Sequence, residues 1–166
     1  MKDTNSFIAK IICWLNPSRT ILQSLFLLLI RLYWGWQFFL TGKGKLSDLD
    51  KPTQFFQSLG IPFPHQQAVL AGTTECCGGM LLLVGLAARL ISIPLAVVMV
   101  VAFCTADIEL VKNIFHEPDK FLAADEFLFF YAGILVLLFG PGKFSIDWLI
   151  KRLTSKPSTA RSDAGV

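Results

Sequence analysis

Two charged residues, Arg31 and Glu75, lie inside apolar runs that are long enough to cross a bilayer. A charged side chain at that depth costs about 3 kcal/mol, so it should face the protein interior and have a partner. The two residues lie at similar depth when they are counted from the outer ends of their runs, Leu40 and Ala68. We therefore expect Arg31 and Glu75 to form an ion pair at the centre of the protein.

This expected ion pair has a structural and a catalytic interpretation. In the structural one, the pair neutralises two buried charges and fixes the register of the helices, because breaking it would leave an uncompensated charge. In the catalytic one, Arg31 donates hydrogen bonds to a carbonyl oxygen or an anion, while Glu75 transfers a proton. A quinone headgroup bound between the two residues would suit the aromatic, sparsely polar lining of a small-molecule pocket.

Four further polar residues are predicted to bind the substrate. Tyr33 and Gln37 follow Arg31 on the first apolar run, and Asp107 and Asp125 lie near the outer ends of the third and fourth runs. The two aspartates are candidates for a proton path into the protein. They could equally be solvated residues at helix ends, since a helix dipole stabilises carboxylates at the N-terminus.

The cysteines and histidines show no metal-binding or redox spacing. The four cysteines match no zinc or CxxC pattern, and neither His65 nor His116 is spaced as a ligand together with the acids. Cys76 and Cys77 point about 100° apart on a helix, so they cannot face one site together. We expect Cys76 and Cys77 to pack as small apolar residues. We also expect no disulfide bond to Cys104 and no bound metal.

The composition predicts an integral membrane protein that has the lipid bilayer as a partner. Hydrophobic residues make up 54% of the 166 residues and charged residues only 16%, against about 25% charged in soluble domains. The net charge of +3 is modest, and the basic residues lie mostly towards the chain ends. No basic patch with interleaved aromatic residues lies outside the apolar runs, so nucleic acid is discounted as a partner.

The apolar runs predict an all-α protein, an integral membrane four-helix bundle with an N-terminal interfacial helix. The helix at 6–15 is too short to span the bilayer and should end at Pro17. The predicted organisation is an interfacial amphipathic segment at 1–19, a membrane domain at 20–150 and a flexible cytoplasmic tail at 151–166. The predicted spans are 20–40, 68–86, 90–106 and 122–139.

The loops add one further helix and an orientation. Residues 52–59 are expected to form a short helix closed by Gly60, either as an apolar lid on the bundle or as part of an interfacial loop. Nine lysines and arginines lie at the chain ends and in the 87–89 turn, against five in the two longer loops. The positive-inside rule then places both termini in the cytoplasm.

Five short motifs occur in order along the chain and resemble those of the DoxX family of small four-helix bacterial membrane proteins. The resemblance runs from about Leu25 to Trp148. The motifs are Gly42-Lys43-Gly44-Lys45-Leu46, Leu59-Gly60-Ile61-Pro62, Glu75 with Gly78-Gly79, the segment 83–89 (Leu-Val-Gly-Leu-Ala-Ala-Arg), and the segment 140–147 (Gly-Pro-Gly-Lys-Phe-Ser-Ile-Asp).

This resemblance implies a bacterial inner-membrane protein with a redox function. The family takes its name from a subunit of a thiosulfate:quinone oxidoreductase, and other relatives are tied to redox or detoxification complexes. The implied function is a quinone-linked redox subunit or accessory, with quinone as the cofactor. The candidate assemblies are a complex with a partner redox subunit and a homo-oligomer. The alternative is a non-catalytic membrane module that binds a small solute or anchors a partner protein.

Overall fold

The computed structural model describes residues 2–154, and it describes side chains from Ile21 onward. Within these limits the chain is helical, with short connections. The helices are α1 (Lys2–Ser47), α2 (Asp50–Ser58), α3 (Pro64–Val84), α4 (Ala88–Thr105), α5 (Ile108–Lys112), α6 (Pro118–Leu122), α7 (Asp125–Phe139) and α8 (Ile146–Thr154).

Four of these helices form the predicted bundle. The most extensive contact is between α1 and α3, and α4 packs mainly on α7. Smaller contacts between α3 and α4 and between α1 and α7 join these two pairs into a four-helix bundle. The core between them is apolar, and its buried members come from all four helices: Phe38, Leu82, Leu95, Met99 and Val136. The predicted helical membrane bundle is therefore confirmed.

Three described helical segments are long and apolar enough to cross a membrane: Ile21–Ser47, Pro64–Val84 and Ala88–Thr105. The fourth bundle helix, α7, has only 15 residues. It is therefore about 22 Å long, short of a hydrocarbon core of about 30 Å. The predicted fourth span began at residue 122, but there the backbone breaks at Ala124 and α7 begins at Asp125.

The first helix is longer than the sequence predicted at both ends. It was expected to begin after a break at Pro17 and to end near Leu40, but α1 is continuous over Lys2–Ser47. An internal proline removes one backbone donor and can bend a helix without ending it. The side chains of the predicted interfacial segment 1–19, and the tail from residue 155, lie outside the described residues.

Other predicted elements are confirmed. The loop helix is α2, which packs on α3 and is followed by Gly60 in a left-handed conformation with φ +71°. The turn between α3 and α4 is only three residues long, with Gly85 at φ +69°. Near the carboxyl end, α8 has Lys151 and Arg152 in its last turn and continues to Thr154, so it includes the first four residues of the predicted tail at 151–166.

Glycines bring α1 and α3 into backbone contact. Gly35 and Gly42 lie seven residues apart on α1, and Gly72 and Gly79 lie seven residues apart on α3. A Cβ atom added to Gly79 would be 2.5 Å from the Phe39 nitrogen, and one added to Gly42 would overlap the backbone of Cys76. Small residues at these positions therefore permit the close approach of the two helices.

Replacing Gly42 with alanine should destabilise the bundle by about 1–3 kcal/mol, because the methyl group forces α1 away from Cys76. The matched control is Gly44→Ala, two residues along the same helix, where an added Cβ meets nothing within 4 Å. That control should stabilise α1 by about 0.5–1 kcal/mol, because a glycine leaves a helix interior. Unfolding of the detergent-solubilised protein measures both effects, and equal stabilities for the two variants would contradict the close contact.

Candidate functional site

Arg31 is almost completely buried and donates all its described hydrogen bonds to backbone carbonyls. Its Nε donates to the Leu82 oxygen at 2.9 Å and its Nη2 to the Leu83 oxygen at 2.9 Å. Its Nη1 donates to the oxygens of Pro141 at 2.7 Å and Phe144 at 3.0 Å. One guanidinium thus joins α1 to the end of α3 and to the segment that follows α7.

This arrangement satisfies both the arginine and the helix end. The last carbonyls of a helix have no partner within the helix, and a cation beside them is favoured by the helix dipole. A guanidinium offers five donors in a fixed plane, and four hydrogen bonds are made here. Gly85, which ends α3, leaves room for the group, since a Cβ there would overlap the guanidinium.

Asp147 performs the complementary task at the start of α4. Its Oδ1 accepts a hydrogen bond from the Ala87 nitrogen at 2.8 Å and its Oδ2 from the Ala88 nitrogen at 3.1 Å. Its own nitrogen donates to the Gly85 oxygen at 3.1 Å. A carboxylate at a helix N-terminus satisfies free N–H groups and suits the dipole. Arg31 and Asp147 together fasten the ends of three bundle helices.

Glu75 is paired with Lys45 rather than with Arg31. The Lys45 Nζ lies 2.6 Å from the Glu75 Oε1, whereas the Arg31 donors all go to carbonyls more than a turn farther along the chain. The predicted ion pair between Arg31 and Glu75 is therefore wrong. Leu82 lies opposite Arg31, and Glu75 lies seven residues earlier on α3, about 10 Å along the helix axis.

The Glu75 side chain is fully buried, and one of its oxygens has no partner among the residues that the structure describes. Oε1 accepts the Lys45 hydrogen bond, but Oε2 makes no hydrogen bond to any residue in the described part of the chain. The Lys45 side chain is 32% exposed. The site is thus a buried carboxylate that connects to the surface through the ammonium group of a lysine.

Lys45 was missed as a site residue, although the sequence contains a signal for it. It lies three residues after Gly42, the glycine that touches α3. Residues three apart share a helix face, so a helix that continued beyond Leu40 would have pointed Lys45 towards α3. Because the first span was expected to end at Leu40, Lys45 was not expected to lie on the same helix.

The structure does not gather the four predicted substrate-binding residues around Glu75. Tyr33 is 59% exposed on the outer surface of α1, with its ring 5.0 Å from that of Trp34. Gln37 is half-buried on the same helix. Asp107 and Asp125 belong to the junctions before α5 and α7, whereas the ion pair is formed by α1 and α3.

The acids at these junctions have a different arrangement from the predicted one. Asp107 lies close to Glu126, a residue that was not among the predicted sites, whereas Asp125 is exposed. The described cysteines Cys76, Cys77 and Cys104 are free thiols. In residues 21–154 no group of three histidine, cysteine or acidic side chains is placed to hold a metal ion.

Comparison with known proteins assigns the family. The family model described as DoxX matches residues 26–108, which is half of the chain. The chain belongs to the DoxX family. It is also similar to the Bacillus subtilis (strain 168) protein named "Putative oxidoreductase CatD", with 29% identity over 117 residues that cover 61% of this chain and 86% of that protein. No solved structure matches the chain.

Four of the five DoxX motifs lie in two separate places in the fold. The segments 83–89 and 140–147 form the end of the bundle around Arg31 and Asp147. The Gly42–Leu46 motif and the Glu75 motif form the ion pair and the glycine contact between α1 and α3. The matched range 26–108 includes Arg31, Lys45 and Glu75.

A double-mutant cycle distinguishes the observed ion pair from the expected one. Lys45→Met and Glu75→Gln should be coupled by about 0.5–3 kcal/mol, because each removes the other's partner. Arg31→Lys and Glu75→Gln should be additive within about 0.5 kcal/mol, because the two residues share no contact. Equilibrium unfolding in mixed micelles gives both values, and the opposite ranking would restore the predicted pair.

Proposed function

We propose that this DoxX protein is a quinone-linked redox subunit or accessory of the bacterial inner membrane, with Lys45 and Glu75 as its proton-handling pair. The observation that carries the proposal is the Oε2 atom of Glu75, which has no hydrogen-bond partner within the described part of the chain and belongs to a side chain with no exposed surface. A buried polar atom without a hydrogen bond costs about 1–3 kcal/mol. Native structures keep few such atoms, and a catalytic role is one reason to keep them.

The residues present suit a quinone. A quinone carbonyl needs a hydrogen-bond donor and a nearby source of protons. The half-exposed Lys45 ammonium supplies the donor, and Glu75 supplies a carboxyl group that can hold a proton on Oε2 while Oε1 keeps the lysine in position. We therefore propose the quinone site at Lys45 and Glu75 rather than between Arg31 and Glu75, because the Arg31 donors are occupied by backbone carbonyls.

The proton and electron requirements of the reaction divide between two proteins. A bound quinone takes up two electrons and two protons when it becomes a quinol. The Lys45 ammonium would donate a proton to the quinone oxygen, and protonated Glu75 would return one to the lysine amine. Water at Lys45, the exposed member of the pair, would then reprotonate the pair, and the same sequence would supply the second proton. The electrons would come from a partner redox subunit. The oxidoreductase name of the Bacillus subtilis relative supports a role of this kind.

Quinone content tests the proposal directly. The wild type, purified in mild detergent and extracted with organic solvent, should contain close to one quinone per protein by mass spectrometry. Glu75→Gln should lose about tenfold or more, because a charge-assisted hydrogen bond is lost at the pair. The control, Glu109→Gln, removes an exposed acid that pairs with Lys112 on the surface and should retain its quinone.

Equal quinone in the wild type and in Glu75→Gln, or only background quinone in both, would contradict the proposal. The pair would then be structural. The protein would instead be a non-catalytic membrane module that binds a small solute or anchors a partner.

The proposed orientation places both chain ends in the cytoplasm, following the excess of basic residues at the ends and in the 87–89 turn. Single cysteines at two exposed helical positions, Ser58→Cys in α2 and Thr154→Cys in α8, test it in a variant without the native cysteines. A membrane-impermeant maleimide should label position 58 in intact spheroplasts and position 154 only after permeabilisation. The reverse pattern would invert the topology.

A further inference from the structure

The last described helix, α8, carries four aliphatic side chains on one face. Their positions follow the i, i+3, i+4, i+7 spacing of an amphipathic helix. The members of this apolar face are Ile146, Leu149, Ile150 and Leu153. All four are exposed, Leu153 to 75%, and none of the nine residues of α8 is buried against the described part of the chain. The apolar face of α8 is therefore free of contact with the core of the bundle.

Polar contacts on α8 are made away from this face. Asp147 directs its carboxylate to the start of α4, where it accepts hydrogen bonds from the Ala87 and Ala88 nitrogens. Arg152 lies over the Trp148 ring, with its guanidinium carbon 5.2 Å from the ring centre. These two residues are four apart and share a side of the helix. Since successive residues are 100° apart, that side is turned away from the apolar face.

Hydrogen bonds fix the start of α8 at the level where two membrane spans end. Asp147 binds the first nitrogens of α4, and its own backbone nitrogen donates to the Gly85 oxygen at the end of α3. Both α3 and α4 are long and apolar enough to cross a membrane. The turn that joins them therefore lies at the edge of the hydrocarbon, and α8 begins beside that turn.

The apolar face of α8 also continues the apolar surface of α7. Leu138 and Phe139 at the end of α7 are exposed, and so is Phe144 in the connection to α8. Because α7 is about 22 Å long, it leaves about 8 Å of a hydrocarbon core of about 30 Å to the segments that flank it. An amphipathic helix in the membrane interface buries its apolar face about 5–10 Å into the acyl boundary. The depth that α8 would cover thus matches what α7 leaves uncovered.

We propose that α8 lies in the membrane interface, with its apolar face inserted among lipid acyl chains. The occupant of the face is the lipid of the leaflet at the Arg31 end of the bundle. The hydrogen bonds of Asp147 then connect the interface to the turn between α3 and α4, so α8 sets the depth of this end of the bundle in the membrane. A helix surrounded by water would instead leave four aliphatic side chains hydrated, which is unfavourable.

Two neighbouring positions test the proposal in lipid nanodiscs, where a reagent in solution reaches both membrane surfaces. Leu153→Cys lies on the apolar face, and its matched control, Thr154→Cys, lies 100° around the helix; both native side chains are exposed. In a variant without the native cysteines, an anionic maleimide should react about tenfold or more slowly at position 153, because the charged reagent must enter the acyl region. In protein denatured with sodium dodecyl sulfate, the two positions should react equally fast.

A fluorescent label identifies what covers position 153. Phospholipids that carry bromine on their acyl chains should quench a bimane at position 153 about twofold more than one at position 154, because only the apolar face reaches the acyl boundary. The same two cysteine variants serve for this measurement. Lipid contact and protein contact are thus distinguished at one position.

Equal maleimide rates in nanodiscs would overturn the proposal, since α8 would then lie in water. Slow labelling of position 153 without quenching by the brominated lipids would also overturn it, because a second copy or a partner protein would then cover the face. Both substitutions replace exposed side chains, so neither should change the melting temperature. Lys45 and Glu75 are unchanged in both variants, so quinone content reports separately on the redox proposal.

Discussion

A guanidinium buried in a membrane protein must find acceptors for its donors, and the architecture of this protein depends on how that need is met at Arg31. The acceptors are the carbonyls at the end of α3 and in the segment after α7. Carbonyls at the end of a helix have no partner within the helix, although the Leu82 oxygen also accepts a hydrogen bond from the Gly85 nitrogen at 3.2 Å. Each half of the contact would be costly alone, so the bundle end is stable only when α1, α3 and the 140–147 segment are assembled together.

Arg31 fixes the register of α1 against α3 at one end of the bundle. The glycine contact maintains that register towards the other end. Gly35 lies against Gly79, and Gly42 lies against the Gly72–Cys76 turn, so the two helices stay in contact over several turns. This close approach leaves no gap beside Glu75, whose side chain is fully buried. Lys45 reaches it from a partly exposed position near the end of α1. The ion pair is thus a consequence of helix packing.

The sequence was sufficient to predict the bundle and the loop helix α2, because each depends on local composition or spacing. It was not sufficient for the polar contacts. Backbone carbonyls have no signature in a sequence, so the partners of Arg31 could not be read from it. Depth counted from Leu40 placed Glu75 opposite Arg31, since nothing local showed that α1 continues through Gly42 and Gly44 to Ser47.

Of the two buried charged residues, Glu75 is better placed than Arg31 to take part in a reaction. Arg31 lies about 21 Å from Lys45 along α1, and its donors are committed to carbonyls that stabilise the fold. The motifs at 83–89 and 140–147 surround Arg31. Their presence in another chain therefore indicates that this end of the bundle has the same fold. Glu75 has an oxygen with no such commitment among the described residues, beside a lysine that reaches the surface. Similarity in the Gly42–Leu46 and Glu75 motifs should therefore say more about a shared reaction than similarity around Arg31.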